Sequence, residues 1–345
     1  MQKNKKRYCK KRRRSPLPVV TGALALLGVG AAALLLFGIF RKEEAYLRPS
    51  SFLEVPKQCA IEANGLESTS VPTQITRIAD DYFLVDCYHD RILTSPSLDR
   101  PLADWFVLTD QIDKGHTIAG DGTVYLADDT ENNRILIFEK KEDGFYLTQT
   151  FDAIGIRPHY VIYDEETKRF YALSSMTGQL YVFFRPDPDS SAVMLEKILA
   201  IPELDGIYVR SFTIDGSDIY FVSGNRSIIR ARKKDLKVLE SWPVPDEIAG
   251  MIQLTRIQNY YYITVSTDLY GNQDYATILR AKTLSDLAEK KWEDIYPSFI
   301  GGGTPYYISS FDGHYYLTEH RIPGHGVWEF DVEEDRLANI LTLFP

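Results

Sequence analysis

The chain has 345 residues, a formal net charge of −9, 22 tyrosines, 17 phenylalanines and only three cysteines. The charge is unevenly placed: residues 1 to 14 hold five Lys and four Arg with no acid, which leaves −18 for residues 45 to 345. A body of that sign is repelled by nucleic acid and by anionic headgroups, so no nucleic-acid partner is expected.

In chain order, residues 1–18 form a basic tail and residues 19–40 a stretch of 22 residues without a charge. As a helix this stretch is about 33 Å long, enough to cross a hydrocarbon core of roughly 30 Å. Lys and Arg beside a span resist translocation, so the tail is expected in the cytoplasm and the rest outside: a single-pass signal anchor in the cell membrane. A cleaved signal peptide is the competing reading, but the apolar run continues past Ala31 to Ala33 and stops only at Arg41-Lys42-Glu43-Glu44. Cys9 falls on the cytoplasmic side. Cys59 and Cys87 fall outside, where an oxidising compartment lets them bridge, and they form the one disulfide candidate.

Residues 41–72 are rich in Pro, Ser and Thr without sustained periodicity and read as an extracellular stalk, in which a short strand at Ser51 to Val55 is able to join a blade edge. From residue 73 to 345 one phrase recurs six times: a strand, a polar turn, and a second strand opening on Ile92, Ile135, Leu180, Ile228, Ile278 or Val327. A recurrence of that length made of strand segments is what one blade of a four-stranded β-propeller occupies, and the fold class expected is all-β, a six-bladed propeller. Asp121-Gly122, Asp215-Gly216 and Asp312-Gly313 fall where the first hairpin of blades 2, 4 and 6 turns. Helical periodicity is confined to Leu284 to Lys291, a short segment.

A propeller places a ligand at the channel mouth, where inner strands begin and the loops between second and third strands converge. Counting back five residues from each first turn selects Gln74, His116, His159, Arg210, Gln253 and Tyr307, all polar or polar-tipped. A water-filled channel wants a hydrophilic lining whatever the protein does. Two His and one Arg facing inward from a body of −18, with Arg157 close by, go further and favour an anion, for which Arg offers a bidentate fork. The loops add His89, Asp128, Asp129, Asn132, Asn133, Asn225, His320, Arg321 and His325. Asn225-Arg226-Ser227 is a glycosylation sequon. Asp128 and Asp129 have the oxygens for Ca2+ but read equally as a hydrated turn, so no metal site and no cofactor are expected.

Blade 2 carries a phrase, Asp121-Gly122-Thr123-Val124-Tyr125-Leu126-Ala127-Asp128 through Asn132-Asn133-Arg134-Ile135 to Phe138, that resembles an NHL repeat. Blades 1 and 3 match it through Val85-Asp86 with Arg91-Ile92 and through Tyr171-Ala172, while blades 4 to 6 share only the strand rhythm. The resemblance implies a propeller similar to the six-bladed, TolB-like group that includes NHL proteins and gluconolactonase-type and paraoxonase-type enzymes. It does not choose among their functions. Gluconolactonase-like enzymes hold a divalent metal with carboxylate and Asn ligands at the mouth, and the six ring positions here carry no Asp or Glu.

Two function classes follow. One is a membrane-tethered module that binds a polar or anionic ligand, a glycan, a small acid or an extracellular partner protein. The other is a lactonase- or esterase-type hydrolase, or a lyase similar to streptogramin lyases, with His116 or His159 as general base or as ligands of a zinc or manganese ion. The chain has no Gly-x-Ser-x-Gly elbow, Walker loop or His-Glu-x-x-His.

Overall fold

A computed structural model describes residues 51–224 and 226–345. The predicted tail, the predicted span, the first ten residues of the predicted stalk and Asn225 lie outside the described residues. Among the described residues no helix is long and apolar enough to cross a membrane.

The described strands form six antiparallel sheets, one after another along the chain. Blade 3 shows the plan: Pro158–Asp164, Arg169–Ser174, Gln179–Phe184 and Met194–Ala200 hydrogen-bond in that order from the axis outward. Middle strands such as Arg91–Ser95 and Val124–Asp129 are buried along their whole length, whereas the outer strand Met194–Ala200 is mostly exposed. Burial on both faces makes a strand read as an unbroken apolar run. The six residues that set the sequence period, Ile92, Ile135, Leu180, Ile228, Ile278 and Val327, each open a third strand and are each 0% exposed.

The core therefore lies between blades. Phe83 and Ile92 of blade 1 pack with Tyr125 and Phe138 of blade 2, and Leu126 and Ile137 of blade 2 pack with Phe170 and Tyr181 of blade 3. Polar side chains lace the inner strands together within this packing. Thr73 Oγ1 donates to His116 O (2.7 Å), the Val161 N–H to Thr117 Oγ1 (2.8 Å) and Ser211 Oγ to Ile252 O (2.7 Å). The short helix expected after Leu284 spans Leu284–Ala288, with Thr283 and Asp286 forming a capping box.

Blade 6, Thr304–Phe311 to Arg336–Phe344, is built wholly from the end of the chain, so no strand is exchanged with blade 1. The ring closes instead by packing: Ile75, Leu84 and Trp105 meet Tyr316, Val327 and Phe344, with the Trp105 and Phe344 rings edge to face at 5.4 Å. Thr318 Oγ1 donates to Thr73 O (2.7 Å) across the same seam.

The described part of the predicted stalk reinforces that seam. Ser51–Cys59 joins the outer edge of blade 2 as a fifth strand, paired with Gly144–Phe151, and so extends the short strand expected there. The chain then runs along blade 1, where Val107 exchanges backbone hydrogen bonds with Ala60 and Glu62, and reaches blade 6, where the Thr69 N–H donates to Pro345 O (3.2 Å). One strap touches blades 2, 1 and 6. The predicted disulfide is corrected by this path, since Cys59 and Cys87 are both free. Cys59 ends the fifth strand opposite Phe145, at the turn end of blade 2, while Cys87 lies in the loop between the second and third strands of blade 1, at the other face.

Ile135→Ala is expected to lower the unfolding free energy by about 2 to 5 kcal/mol in urea titration, through cavity formation. Asn64, whose Oδ1 accepts from Arg91 Nη1 (3.0 Å) and whose backbone N–H donates to Trp105 O, anchors the strap on blade 1. Asn64→Ala should cost about 1 to 3 kcal/mol by leaving the Arg91 fork short of an acceptor; unchanged stability in urea titration would show this one anchor of the strap to be dispensable.

Candidate functional site

Five inner strands slip register near their start: between Pro72 and Gln74, Pro158 and Tyr160, Val209 and Ser211, Met251 and Gln253, and Pro305 and Ile308. A slip of this kind leaves a residue unpaired and re-aims its side chain. His159 and Arg210 are such residues. Arg210 goes to the mouth, where a cavity of about 370 Å³ is lined by His116, Arg210, Lys114, Arg157, Tyr208, Tyr306, Ser266, Glu131, Cys87 and His320, among others, and His159 lies buried behind that lining.

Lys114 and Arg157 hold equivalent places, two residues before His116 and His159, and both backbones are left-handed, with φ of 54° and 58°. Such φ values cost a non-glycine residue energy, and each is held by the preceding blade. The Lys114 N–H donates to Asp90 Oδ1 (3.1 Å) and the Arg157 N–H to Asn133 Oδ1 (2.7 Å). Asp90 and Asn133 are themselves left-handed and stand immediately before Arg91 and Arg134. The NHL-like phrase thus has a mechanical role: its Asp or Asn caps the backbone that carries the next blade's cation. In blade 3 the same place is Gly178, which has no side chain to do this.

The same phrase ends its second strand on an acid. Asp86 and Arg91 are cross-strand partners with an ion pair at 2.9 Å, and Asp129 pairs likewise with Arg134. Asp86 Oδ1 also accepts from the Ser70 and Val71 N–H groups, and Asp129 Oδ1 from the Asp113 N–H. Asp128 accepts from the His116 and Thr117 N–H groups, Thr117 Oγ1 and Thr130 Oγ1. These carboxylates are spent on the backbone. Among the described residues no three His, Cys, Asp or Glu gather as ligands of a metal.

The ring of six chosen by counting divides. His116 and Arg210 line the cavity. His159 stacks on His116 with centroids 3.6 Å apart, and Tyr307 OH lies 3.4 Å from His159 Nδ1, so both are buried behind the lining. Gln74 and Gln253 lace blades together: Gln74 Oε1 accepts from the Ile118 N–H (2.8 Å), and Gln253 bonds both the Ile308 N–H (2.7 Å) and Ile308 O (3.2 Å). Of the loop candidates, His320 reaches the cavity. His89 pairs with Asp86 (2.6 Å), Arg321 Nη1 donates to Thr304 Oγ1 (3.1 Å), Asn132 Nδ2 donates to Asp129 and His325 stacks on Trp328. Counting missed Lys114 and Tyr208, which stand just before the inner strands of their blades, and Tyr306, one residue from Tyr307, because the slip between Pro305 and Ile308 breaks the alternation there.

Positive charge at the mouth comes from the guanidinium and ammonium groups alone. Burial, followed by Arg157 and Arg210, lowers the His116 pKa to about 3; burial, followed by His116 and the same arginines, takes His159 well below the usual range. Burial and Arg321 lower His320 to about 4. All three imidazoles are neutral at pH 7, which corrects their expected part in a basic mouth. Burial pushes the Cys87 thiol and the Tyr208 and Tyr306 phenols up, so these keep their protons. Lys114 is paired with Asp90 (2.8 Å) and Arg157 with Glu131 (2.9 Å). Arg210 Nη1 donates to the neutral Ser266 Oγ (2.7 Å), and among the described residues no carboxylate pairs with it. Tyr208 sits between the two guanidinium groups, 5.3 Å from Arg210 and 5.8 Å from Arg157.

The His116 and His159 rings are tilted by only 24°, so their in-plane lone pairs lie in nearly parallel planes and do not converge on one ion. His116 Nδ1 faces Thr130 Oγ1 (3.0 Å), which donates to Asp128 Oδ2 (2.8 Å), and Nε2 faces Cys87 Sγ at 3.8 Å.

Known structures repeat this architecture. A "putative 6-phosphogluconolactonase" from Bacteroides uniformis is 13% identical, with a TM-score of 0.54, over 76% of this chain and 82% of that one. A second so described, from Bacteroides fragilis, is 14% identical, with a TM-score of 0.56, over 79% and 84%. The Cps50 (Swd1) β-propeller domain of Myceliophteria thermophila is 7% identical, with a TM-score of 0.51, over 86% and 89%. The likeness is one of fold. No family model and no curated protein matches the chain.

Two outcomes test this geometry. The unfolded imidazole binds a proton below about pH 6.5 and the buried one does not, so stability present at pH 7 is lost as pH falls towards 3. At pH 5 His116 alone should cost about 2 kcal/mol, and His159 acts in the same direction. Burial raises Asp128 to about 6, so it contributes the opposite sign, a gain of about 1 kcal/mol between pH 6 and 5. Melting curves should therefore show net acid lability, less steep in His116→Gln. Gln253→Ala should cost about 1 to 3 kcal/mol by stranding both Ile308 backbone groups, without weakening ligand binding; the reverse pattern would return Gln253 to the site.

Proposed function

We propose that the propeller binds a small anionic ligand, a carboxylate or phosphate borne on a compact polar body such as a sugar, in the mouth cavity. Arg210 carries the reading: a guanidinium held in place by a neutral hydroxyl and an aromatic face, without a carboxylate partner among the described residues, is poised to pair with an incoming anion. Lys114 and Arg157 add to the field, and Tyr208 and Tyr306 supply faces for a ring. The cavity volume of about 370 Å³ suits a ligand of this size. We place the ring outside the cell, tethered by residues 19–40, on the strength of the uncharged run and its basic flank. Alkaline extraction of membranes and protease accessibility of a C-terminal tag test that placement.

Calorimetric titration with gluconate, glucuronate and 6-phosphogluconate tests the site. Arg210→Ala should weaken binding about 10- to 100-fold while the melting temperature stays nearly unchanged. If none of the three binds, or binding ignores Arg210, the reading fails.

The line Asp128, Thr130, His116 favours a second reading, hydrolysis of a lactone or ester of an anionic sugar with His116 as base, because it supplies the oriented group behind an imidazole that such chemistry uses. A value of about 3 makes His116 a weak base at neutral pH, and its Nε2 faces a protonated thiol, so binding is preferred. Turnover of 6-phosphogluconolactone that disappears in His116→Ala would reverse that preference.

A further inference from the structure

Exposed large apolar side chains lie on the strap (Phe52, Val55, Ile61, Leu66), on outer strands (Met194, Val238, Leu239, Leu341) and around the mouth, where they surround a cavity. The turns between first and second strands, at the face away from the cavity, are polar: Asp80, Asp121-Gly122, Glu165-Glu166, Asn259 and Asp312-Gly313 occupy them. The rim of the mouth carries large apolar side chains in solvent. Tyr88 comes from blade 1 and Ile156 stands beside Arg157. Tyr270 and Tyr275 flank Gln273 of the cavity wall, and Ile300 precedes Thr304. Tyr270 is 83% exposed and Ile300 59%. Four of the six blades contribute.

Ile300 adds a second observation. Its backbone is at φ 88°, ψ −49°, a region that costs a β-branched residue energy, and its side chain is not repaid by burial. Exposed apolar groups gathered around one opening mark a surface that another molecule covers. A small anion seated in the cavity would leave the rim uncovered, so the occupant that fits both parts is larger than the cavity.

We propose that the natural ligand of the mouth is an acidic segment of a partner protein. One carboxylate enters the cavity and pairs with Arg210, and apolar side chains on either side cover Tyr88, Tyr270, Tyr275 and Ile300. This rests on the anion-binding reading of the cavity and names the partner for it. Charge complementarity selects the class. The ring sits on a body of −18, so an anionic membrane surface meets net repulsion, whereas a short acidic segment meets chiefly the cations within a Debye length of about 10 Å at the mouth. A buried charged anchor with an apolar surround is also how tight peptide contacts are built.

The test pans a random-peptide phage library on the full-length chain in detergent micelles, with recovered peptides measured by fluorescence anisotropy. Peptides bearing Asp or Glu flanked by apolar residues are expected to be enriched. Their affinity should fall about tenfold or more in Arg210→Ala and equally in the rim variants Tyr270→Ser and Ile300→Ser. Binding of 6-phosphogluconate should fall only in Arg210→Ala. No enrichment, or enriched peptides indifferent to the rim variants, would overturn the partner assignment while leaving the small-anion reading intact. Loss of 6-phosphogluconate binding in the rim variants would overturn it too, by showing that they damage the cavity. Sedimentation with phosphatidylglycerol vesicles that depends on Tyr270 and Ile300, without peptide enrichment, would assign the rim to lipid instead. Melting curves separate misfolded variants, and Ile300→Gly, which relieves the positive φ, keeps the rim testable if Ile300→Ser unfolds.

Discussion

Every blade has to bury both faces of its middle strands, and only a closed ring provides a neighbour on each side. That constraint orders the rest of the structure. Apolar clusters lie between blades rather than within them, and Thr73, Gln74, Thr117, Ser211 and Gln253 spend their polar groups on the next blade's backbone. It also makes the seam between blades 6 and 1 the place where the first and last blades must be held together. With no strand exchanged there, the strap from Ser51 onward ties blades 2, 1 and 6 along the outside. A segment that looks like a spacer in composition becomes part of the closure.

The mouth inherits its geometry from the same ring. A carboxylate or amide at the end of one blade's loop caps the backbone leading into the next, so Asp90 places Lys114 and Asn133 places Arg157. The register slips then turn His159 and Arg210 inward. Cationic side chains are thereby brought together by neighbouring blades, each held by local bonds and none relying on the others for its position. Stacked neutral imidazoles close the space behind them, and burial in the company of guanidinium groups keeps those imidazoles from adding charge.

Electrostatically the protein is a negative body with a small positive opening. Such a contrast focuses an anion onto one point while discouraging broad contact with anionic surfaces. Glu131 moderates the opening by pairing with Arg157, and Asp90 does so by pairing with Lys114. Arg210 donates to the neutral Ser266 and, among the described residues, has no carboxylate partner, so its charge is left for an incoming anion.

Strand order, blade number and the buried period of Ile92 through Val327 were legible in the sequence, because burial on both faces writes itself as apolar runs at fixed spacing. The positions of His116 and Arg210 in the mouth were legible for the same reason, through their distance from a turn. Tyr306 was not, because a register slip breaks the two-residue alternation that counting depends on, and a slip is a property of strand pairing; Lys114 and Tyr208 were not, because they stand before their strands, where alternation says nothing. The fate of Gln74 and Gln253 was likewise decided by which backbone lay within reach on the next blade, and the freedom of Cys59 and Cys87 by the path of the strap. Composition and spacing determine what each strand must bury; which polar groups remain for a ligand depends on what the neighbouring blade has already taken.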